Sequence, residues 1–358
     1  MRQSLGAEHD ALLFDLDGTV YRGGEVIEGA ESTISRVRQA GVSVRYVTNN
    51  ASKPPEEVAA ALNELGVAAT VPEVSTSAQA GAALLAERVP PGSPVLVVGT
   101  GALAEELANV GLSPVRGADS APVAVIQGHS PHTTWADLAE ACLAIRGGAV
   151  WVACNRDATL PTERGELPGN GALVTALGEA TGSSPLVAGK PERTLLDRAV
   201  NTADALRPML VGDRLETDIL GAYRAGIPSM MVLSGVSTPA ELLAAPVECR
   251  PTYVAADLTA LEAPAETTMI AEQAGWKVDV TGSGLSLAAV SAAGFGAAIG
   301  SPGEWTGLTA LRALCTARWA VGSGETTVTP EDSTAEAVLR ELGLLGFDDE
   351  RFGTSAVG

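Results

Sequence analysis

The feature that most constrains this chain is an apolar run that ends in two aspartates, Ala11-Leu-Leu-Phe-Asp15-Leu-Asp17-Gly-Thr-Val20. The unbroken apolar residues indicate a strand that is buried on both faces, which is typical of a parallel sheet covered by helices. Asp15 and Asp17 share one side-chain parity on an extended chain, so both can address one site. Because two adjacent carboxylates repel each other, the pair requires a divalent cation, a shared proton or a phosphoryl group arriving beside that cation.

Strand-like and helix-like segments alternate along most of the chain. The first series has strands at 11–15 and 42–48 and helices around 30–40, 54–65 and 76–89. A second series follows Pro90-Pro-Gly92, with strands at 95–99, 123–128 and 150–155, helices around 103–110, 135–146 and 172–180, and a turn-rich stretch at 157–171. The first series then resumes with a helix to about residue 201 and strands at 209–212 and 227–233. This alternation predicts an α/β fold whose chemistry lies at the carboxyl ends of parallel strands.

The order of these segments also predicts the domain organisation, because 358 residues exceed one ordinary core. We expect a Rossmann-like parallel-sheet core from residues 1–79 and 186–262, interrupted by an inserted α/β cap domain at 80–185. A small C-terminal α+β appendage at 263–358 follows, with a hairpin (276–280 and 285–290), a helix (308–321), a strand (325–329) and a final helix (334–343). We expect Trp276, Trp305 and Trp319 to form the core of this appendage.

The formal net charge of −20 restricts the partners of the chain. A long-range negative field repels nucleic acid and anionic membranes, although local cations still permit a small phosphorylated substrate. The four cysteines are scattered and predict reduced thiols rather than disulfides or a zinc site (Cys142, Cys154, Cys249 and Cys315). A polar N-terminus and the absence of a long apolar run predict a cytoplasmic protein without a membrane span.

Two polar motifs follow strands or open helices in the first series. Thr48-Asn49-Asn50 closes the second strand, where a hydroxyl and backbone N–H groups can hold phosphate oxygens, or where an Asx-rich turn can form. Gly189-Lys190-Pro191 carries one of only three lysines in the chain. An ammonium at this place suits a phosphoryl group in transfer, and the alternative is a solvated lysine at a helix start.

A third motif, Leu210-Val-Gly-Asp213-Arg-Leu-Glu-Thr-Asp218, again ends an apolar strand in a carboxylate. Mg²⁺ favours oxygen ligands from one or two carboxylates, waters and phosphate, so Asp213 can complete a site with Asp15 and Asp17. Asp218 can bind the metal through water or orient Lys190 and Asp213. Its alternative role is to cap the following helix.

In this order, the four motifs closely resemble those of the haloacid dehalogenase superfamily of phosphatases. The resemblance covers about residues 10–260 and is to the branch with a large α/β cap between the second and third motifs. This branch holds nitrophenylphosphatase-like, glycerol-phosphate, phosphoglycolate and pyridoxal-phosphate phosphatases. The likeness is greatest to glycerol 3-phosphate phosphatases that carry a C-terminal extension.

The resemblance implies a Mg²⁺-dependent phosphomonoesterase. Asp15 would be the nucleophile that forms an aspartyl-phosphate, and Asp17 would protonate the leaving alkoxide and then activate water. Asp15, the Asp17 backbone carbonyl and Asp213 would hold Mg²⁺. Thr48, the Asn49 backbone and Lys190 would bind the transferred phosphoryl group.

The resemblance also implies that the inserted domain selects the substrate. The stretch 155–171 is similar to the family's substrate loop, and Leu160 stands where the pyridoxal-phosphate members have histidine. This favours a small aliphatic phosphate, glycerol 3-phosphate first and 2-phosphoglycolate second, although Leu160 can equally serve cap packing. A phosphometabolite sensor without turnover is the alternative from another class, and a homodimer is a possible assembly.

Three other motifs are weaker signals. Gly99-Thr-Gly101 has the setting of a dinucleotide fingerprint but lacks the acid that would bind a ribose, so close packing explains it better. His129 and His132 are too few for a zinc site. The appendage has a faint resemblance to part of an acetyltransferase, but Gly322-Ser-Gly324 is preceded by Trp319 where an acyl-CoA loop needs Gln or Arg. We therefore expect packing or dimerisation there.

Overall fold

The structure is a computed structural model that describes residues 3–162, 164–282, 284–290 and 306–345. These residues form three sheets of three or more strands and two two-stranded pairs. The elements that precede the second sheet are β1 (Ala11–Phe14), β2 (Tyr21–Arg22), β3 (Glu25–Val26), α1 (Ala30–Gln39), β4 (Ser43–Thr48), α2 (Pro55–Glu64), β5 (Val74–Thr76) and α3 (Ser77–Ala86). The second sheet is built from β6 (Pro94–Val98), α4 (Gly101–Asn109), β7 (Ser113–Val115), β8 (Ala124–Gln127), α5 (Trp135–Arg146), β9 (Val150–Ala153), β10 (Thr159–Thr162), β11 (Gly165–Pro168), α6 (Asn170–Thr181) and β12 (Leu186–Val187).

The chain then returns to the first sheet and finally forms the third. The returning elements are α7 (Arg193–Thr202), β13 (Pro208–Gly212), α8 (Leu220–Ala225), β14 (Ser229–Val232), α9 (Pro239–Ala244) and β15 (Tyr253–Ala255). The last are β16 (Trp276–Thr281), β17 (Gly284–Ala289), α10 (Thr306–Val321), β18 (Val328–Pro330) and α11 (Ser333–Glu341).

The first sheet has six strands in the order β15-β14-β13-β1-β4-β5, and every pair is parallel. Its central strand β1 is fully buried, as its uninterrupted apolar sequence predicts. Because β13 and β4 flank β1, the residues that follow these three strands meet at one edge of the sheet. The two outer strands β5 and β15 were not predicted, since three-residue segments carry too little periodicity to be recognised.

The second sheet lies between α3 and α7 in the chain and has five parallel strands in the order β12-β9-β8-β6-β7. Its helix α5 begins with a capping box in which the Thr134 hydroxyl accepts a hydrogen bond from Asp137 N at 3.3 Å. The predicted strands and helices of this unit are present within a few residues. The stretch predicted as turn-rich instead contains the antiparallel hairpin β10–β11. The domain limits at 79/80, 185/186 and 262/263 stay a prediction.

The third sheet, β16-β17-β18, shares a hydrophobic cluster with the six-stranded sheet. Leu311 and Leu314 of α10 are fully buried in this cluster together with Met231 and Leu242. Arg312 donates from Nη2 to the carbonyl of Val254 at 2.9 Å, which ties α10 to β15. The C-terminal unit therefore packs directly on the core.

Two of the three tryptophans that we expected in the core of the C-terminal unit are partly buried and pack against this cluster. Trp276 donates its indole N–H to Thr309 Oγ1 at 2.9 Å. Trp319 donates to Leu242 O at 3.3 Å, and the Arg250 guanidinium lies 5.1 Å from its ring centroid. Trp305 lies outside the described residues. Among the described residues, no helix has both the length and the apolar character needed to cross a membrane.

Candidate active site

The residues that follow β1, β4 and β13 meet at the mouth of a cavity of about 660 Å³. All of the predicted site residues line this cavity: Asp15, Asp17, Thr48, Asn49, Leu160, Lys190, Asp213 and Asp218. The cavity wall comes from both the six-stranded sheet and the inserted unit. The motifs that are separated by up to two hundred residues in sequence are thus brought to one place by the strand order.

Lys190 forms the floor of the site and is almost completely buried. Its ammonium donates to Asp15 Oδ1 at 2.5 Å and to Asp218 Oδ1 at 2.6 Å. Burial alone would lower the pKa of this ammonium, but the two carboxylates outweigh burial and raise the pKa well above its usual value. The raised pKa favours the charged form of Lys190, and its burial rules out the alternative of a solvated lysine at a helix start.

Asp218 supports this lysine from the π-helical turn Leu215–Ile219. Its second oxygen accepts a hydrogen bond from Arg214 N at 3.1 Å, so the same carboxylate also caps the turn that follows Asp213. The two alternative roles considered from the sequence, orientation of the lysine and capping, are both present. A π turn at this position places Asp218 opposite Gly212, where a Cβ would lie 2.4 Å from the aspartate Cβ.

Three carboxylates lie close together at this end of the cavity, and two of them bond to Lys190. Oxygens of Asp15, Asp213 and Asp218 all lie within 4.8 Å of one another. Burial and the neighbouring carboxylates raise the pKa of Asp15, and burial and Asp218 raise the pKa of Asp213 to about 6. The excess negative charge and the all-oxygen donor set fit a hard divalent cation such as Mg²⁺. The Asp17 carboxylate is not in this cluster, and the role of the Asp17 backbone carbonyl as a metal ligand stays a prediction.

Asp213 is held in a cradle that leaves no room for a side chain beside it. A Cβ on Gly235 would lie 1.9 Å from Asp213 Oδ2, and one on Gly18 would lie 2.4 Å from the same atom. Gly18 also has a φ of +86°, a conformation that L side chains rarely adopt. Val236 N donates to Asp213 Oδ2 at 2.7 Å and fixes the orientation of the carboxylate.

Asp17 lies in the turn after β1 and opens into the cavity. Partial burial raises its pKa, and the nearby cations Arg214, Lys190 and Lys53 oppose this increase. A carboxyl group with a raised pKa that faces open space can donate a proton to a leaving group. The geometry is therefore compatible with the acid/base role that the resemblance implies.

Thr48 and Asn49 end β4 on the other side of Lys190. The Thr48 hydroxyl accepts a hydrogen bond from Asn50 N at 3.1 Å. Asn50 Oδ1 accepts one from Ser52 N at 2.8 Å, which is the Asx turn considered as an alternative. The Asn49 side chain bonds to both main-chain groups of Lys190. The sequence predicted backbone contacts from Asn49 to phosphate, and it did not reveal this use of the side chain.

The inserted unit contributes a second group of polar residues that sequence reasoning missed. Asn155 and Asp157 follow β9 and reach Asn49, and Arg214 enters the cavity from the core side. Burial raises the pKa of Asp157. The polar residues at the carboxyl ends of strands that revealed Asp15 could have revealed Asn155 too, because it follows the end of β9 after a single residue. Leu160 lies on β10 opposite Leu167 and forms part of the cavity wall.

The two weaker motifs of the inserted unit have structural explanations. The Arg116 guanidinium donates to Val97 O at 3.0 Å and Gly99 O at 2.9 Å, so it occupies the end of β6. A Cβ on Gly99 would lie 2.8 Å from Leu103, which confirms close packing as the reason for that glycine. His129 lines the cavity, and burial lowers its pKa. Within the described residues, the grouped metal-ligand side chains are aspartates alone.

Family models match three stretches of the chain. A model described as haloacid dehalogenase-like hydrolase matches residues 12–113, and a second hydrolase model of the same kind matches 187–261. A GCN5-related N-acetyltransferase-like model matches residues 273–344. The faint acetyltransferase resemblance of the C-terminal unit is therefore stronger than the sequence indicated.

Proteins with assigned activities show the same relationship. A D-glycerol 3-phosphate phosphatase from Mycobacterium tuberculosis is 52% identical over 287 residues, which are 80% of this chain and 80% of that protein. An acid sugar phosphatase from Staphylococcus saprophyticus is 39% identical over 70% of this chain and 95% of its own length.

Solved structures agree with these sequence matches. A glycerol phosphate phosphatase from Mycobacterium tuberculosis, crystallised with magnesium, has a TM-score of 0.89 and 46% identity, with 96% of this chain and 100% of that chain covered. A double mutant thermostable NPPase from Geobacillus stearothermophilus has a TM-score of 0.61 and 33% identity, with 66% of this chain and 92% of that chain covered. The magnesium-bound structure matches nearly the whole chain, whereas the NPPase leaves about a third unmatched.

Proposed function

The chain belongs to the haloacid dehalogenase-like hydrolases, and from this membership we propose that it is a Mg²⁺-dependent phosphatase of small phosphomonoesters, glycerol 3-phosphate first among them. One observation carries the proposal: the Asp15 carboxylate is bonded to buried Lys190 at the floor of a cavity that the inserted unit closes. The identity of the M. tuberculosis relative supports the choice of substrate.

Asp15 is the proposed nucleophile. One of its oxygens is held by Lys190, and the side chain lies at the cavity wall beside Asp213. Attack on phosphorus would form an aspartyl-phosphate and release the alkoxide of the substrate, and water would then hydrolyse the acyl phosphate. Lys190 would bind the phosphoryl oxygens as charge moves from nucleophile to leaving group, with Thr48 as a further donor.

Asp17 is the proposed general acid and base. Its raised pKa favours the protonated form that the leaving alkoxide needs, and the resulting carboxylate can then take a proton from the attacking water. The Asp17 side chain lies in a turn rather than in the strand, so it can reach the leaving group of a substrate whose phosphate lies at Asp15.

Mg²⁺ would be held by the carboxylates of Asp15 and Asp213 and by the Asp17 backbone carbonyl. Asp218 would support the site by holding the Lys190 ammonium. When bound, the ion neutralises the repulsion between the nucleophile and the phosphate. The crystal structure of the M. tuberculosis relative with magnesium supports this choice of metal.

The inserted unit is the proposed specificity domain. Its part of the cavity combines the apolar side chains of Leu160, Leu167 and Leu173 with the hydroxyl groups of Thr159 and Thr162. Such a wall suits a short carbon chain with hydroxyl groups. 2-Phosphoglycolate stays the second candidate, because the Arg214 guanidinium lines the same cavity and can bind a carboxylate.

Assembly and location are smaller parts of the proposal. We propose a cytoplasmic protein, for which the four free cysteines offer support, and a possible homodimer. The partner is a small phosphorylated metabolite rather than nucleic acid or a membrane, as the net charge of −20 favours.

The test of the function is Asp15→Asn. This nearly isosteric change removes the nucleophile, so the turnover of glycerol 3-phosphate with Mg²⁺ should fall by at least about a thousandfold. Phosphate release is measured with Mg²⁺ and with EDTA, and thermal unfolding confirms that the variant folds. Wild-type turnover in the variant would refute the mechanism. A wild-type protein that binds phosphate but shows no Mg²⁺-dependent turnover would favour the sensor alternative.

A further inference from the structure

We propose that Asn49 is a positioning residue that holds Lys190 by its main chain, and that Asn155 of the inserted unit holds Asn49 in turn. The proposal rests on the proposed function in one respect, that Lys190 binds the phosphoryl group. Asn49 Oδ1 accepts a hydrogen bond from Lys190 N at 2.8 Å, and Asn49 Nδ2 donates to Lys190 O at 3.0 Å. Both main-chain groups of the lysine are thereby fixed by one side chain.

The loop that carries Lys190 is also pressed closely against its neighbours. A Cβ on Gly189 would lie 2.6 Å from Asn49 Oδ1 and 2.5 Å from Cys154 O, so only glycine permits this approach. Gly189 N donates to Cys154 O at 2.7 Å. The loop therefore lies between the end of β4 and the end of β9, and its position depends on both sheets.

The inserted unit reaches the partly buried Asn49 through Asn155, which is itself buried. Asn155 Nδ2 donates to Asn49 O at 2.7 Å, and the Asn155 carbonyl accepts a hydrogen bond from Asn170 Nδ2 at 2.8 Å. Asn155 is 4% exposed and Asn170 is 1% exposed. In addition, Asn49 Nδ2 lies 3.3 Å and 3.4 Å from the two oxygens of Asp157. A row of amides thus connects α6 of the inserted unit to Lys190.

This arrangement links the inserted unit to the geometry of the phosphoryl site. A buried amide that loses its partner costs a substantial part of its desolvation energy, so each amide of the row favours one position of its neighbour. Asn155 shares the Asn49 carbonyl with Ser77 Oγ, which donates to it at 2.5 Å. The ammonium of Lys190 must lie within hydrogen-bond distance of Asp15 and of the phosphoryl oxygens. A displacement of about 1 Å at such a group can cost roughly a hundredfold in rate. The inserted unit therefore positions the phosphate-binding lysine in addition to enclosing the leaving group.

The experiment compares Asn49→Ala and Asn155→Ala with Asn63→Ala. Asn63 is a matched control, because its amide also bonds to main-chain groups, through three bonds to Ala59 and Ala69, and it does not line the cavity. Binding of inorganic phosphate is measured by calorimetry with Mg²⁺, and kcat and KM are measured for glycerol 3-phosphate and for p-nitrophenyl phosphate. Thermal unfolding of each variant confirms folding.

We expect both test variants to bind inorganic phosphate at least about tenfold more weakly and to lose kcat/KM for the two substrates by the same factor. Equal losses distinguish a displaced lysine from a damaged substrate pocket, which would affect glycerol 3-phosphate alone. If Asn49→Ala fails to fold, Asn155→Ala carries the test, since it leaves both Asn49–Lys190 bonds in place.

Unchanged phosphate affinity in Asn49→Ala would overturn the proposal, as would an equal loss in Asn63→Ala. A loss in Asn155→Ala that is confined to glycerol 3-phosphate would overturn the part that concerns the inserted unit. Failure of the proposed function is separate, because it would appear as absent turnover in the wild-type protein while phosphate binding is still measured.

Discussion

Lys190 shows how individual charges define this site. The chain has 43 acidic residues and only three lysines, yet one of these lysines is buried between two aspartates. Its ammonium compensates one charge of a cluster of three carboxylates, so two negative charges remain when all three are ionised. The same local excess of negative charge that suits a divalent cation makes the cation-free site unfavourable for folding.

At the residue scale, Asp213→Asn should stabilise the metal-free protein. Burial raises the pKa of Asp213 to about 6, above its unfolded value, so the ionised folded form carries a penalty that increases as pH rises from about 4 to about 6. Above that range the neutral amide should add about 1–3 kcal/mol to the free energy of unfolding. Val236 N can still donate to the amide oxygen.

Thermal unfolding in EDTA at pH 4, 5.5 and 7.5 measures this effect. The advantage of Asp213→Asn should be absent at pH 4, grow with pH, and disappear when Mg²⁺ is added to the wild-type protein. A variant that is less stable than wild type at pH 7.5 in EDTA would contradict the electrostatic interpretation of the cluster.

At the scale of elements, the site depends on two loops that approach Asp213 closely, each at a glycine. The turn after β1 and the loop after β14 both contact Asp213, which follows β13. Ser234 Oγ also donates to Gly18 O at 2.8 Å and joins the two loops. The strand order places these loops side by side, and glycine allows them to close around the carboxylate.

Gly235→Ala should greatly reduce activity while the fold is retained. The added methyl group would lie 1.9 Å from Asp213 Oδ2, so the carboxylate must move out of the cluster. We expect kcat/KM to fall by about a hundredfold or more and the Mg²⁺ concentration for half-maximal activity to rise. Gly101→Ala is the control, since a Cβ there has open space.

The measurement is phosphate release over a range of Mg²⁺ concentrations, with circular dichroism as the test of folding. If Gly235→Ala and Gly101→Ala have the same activity, the close packing around Asp213 does not determine the position of the metal ligand.

At the scale of the whole molecule, the core contacts the inserted unit and the C-terminal unit through two interfaces that differ in polarity. The core and the inserted unit enclose a polar cavity, whereas the core and the C-terminal unit share a hydrophobic cluster. Leu215 and Ile219, the first and last residues of the turn that carries Asp218, belong to that cluster together with Leu311 and Cys315. The acetyltransferase-like unit therefore contributes to the stability of the catalytic core.

Leu314→Ala should destabilise the core as well as the C-terminal unit. The side chain is fully buried in the shared cluster, so its truncation should cost about 2–5 kcal/mol. If the two units unfold together, loss of activity and loss of helical signal should shift to lower temperature by the same amount. Leu206→Ala, at a side chain that is 89% exposed, is the control.

Parallel thermal scans by circular dichroism and by residual activity compare the two signals. An early loss of part of the helical signal, with activity retained to the wild-type temperature, would show that the C-terminal unit unfolds independently and leaves the core intact.

The sequence alone determined the strand-end residues and their order. Apolar runs that stop at Asp15, Thr48 and Asp213 follow from local periodicity, and each end marks the carboxyl edge of a parallel sheet. The inserted unit and the appended unit could also be predicted, because changes in this periodicity are local. The hairpin β10–β11 and the short edge strands could not, since they contain too few residues to show a period.

Only the tertiary structure decided which of these groups touch. The sequence places Asp15, Lys190 and Asp218 far apart, and their pairing depends on β13 and β4 lying on either side of β1. The same holds for Asn49, whose amide could bond to its own turn but instead holds Lys190, because the returning chain passes next to it. Hydrogen-bond partners of buried polar groups are set by long-range packing, and no local pattern records them.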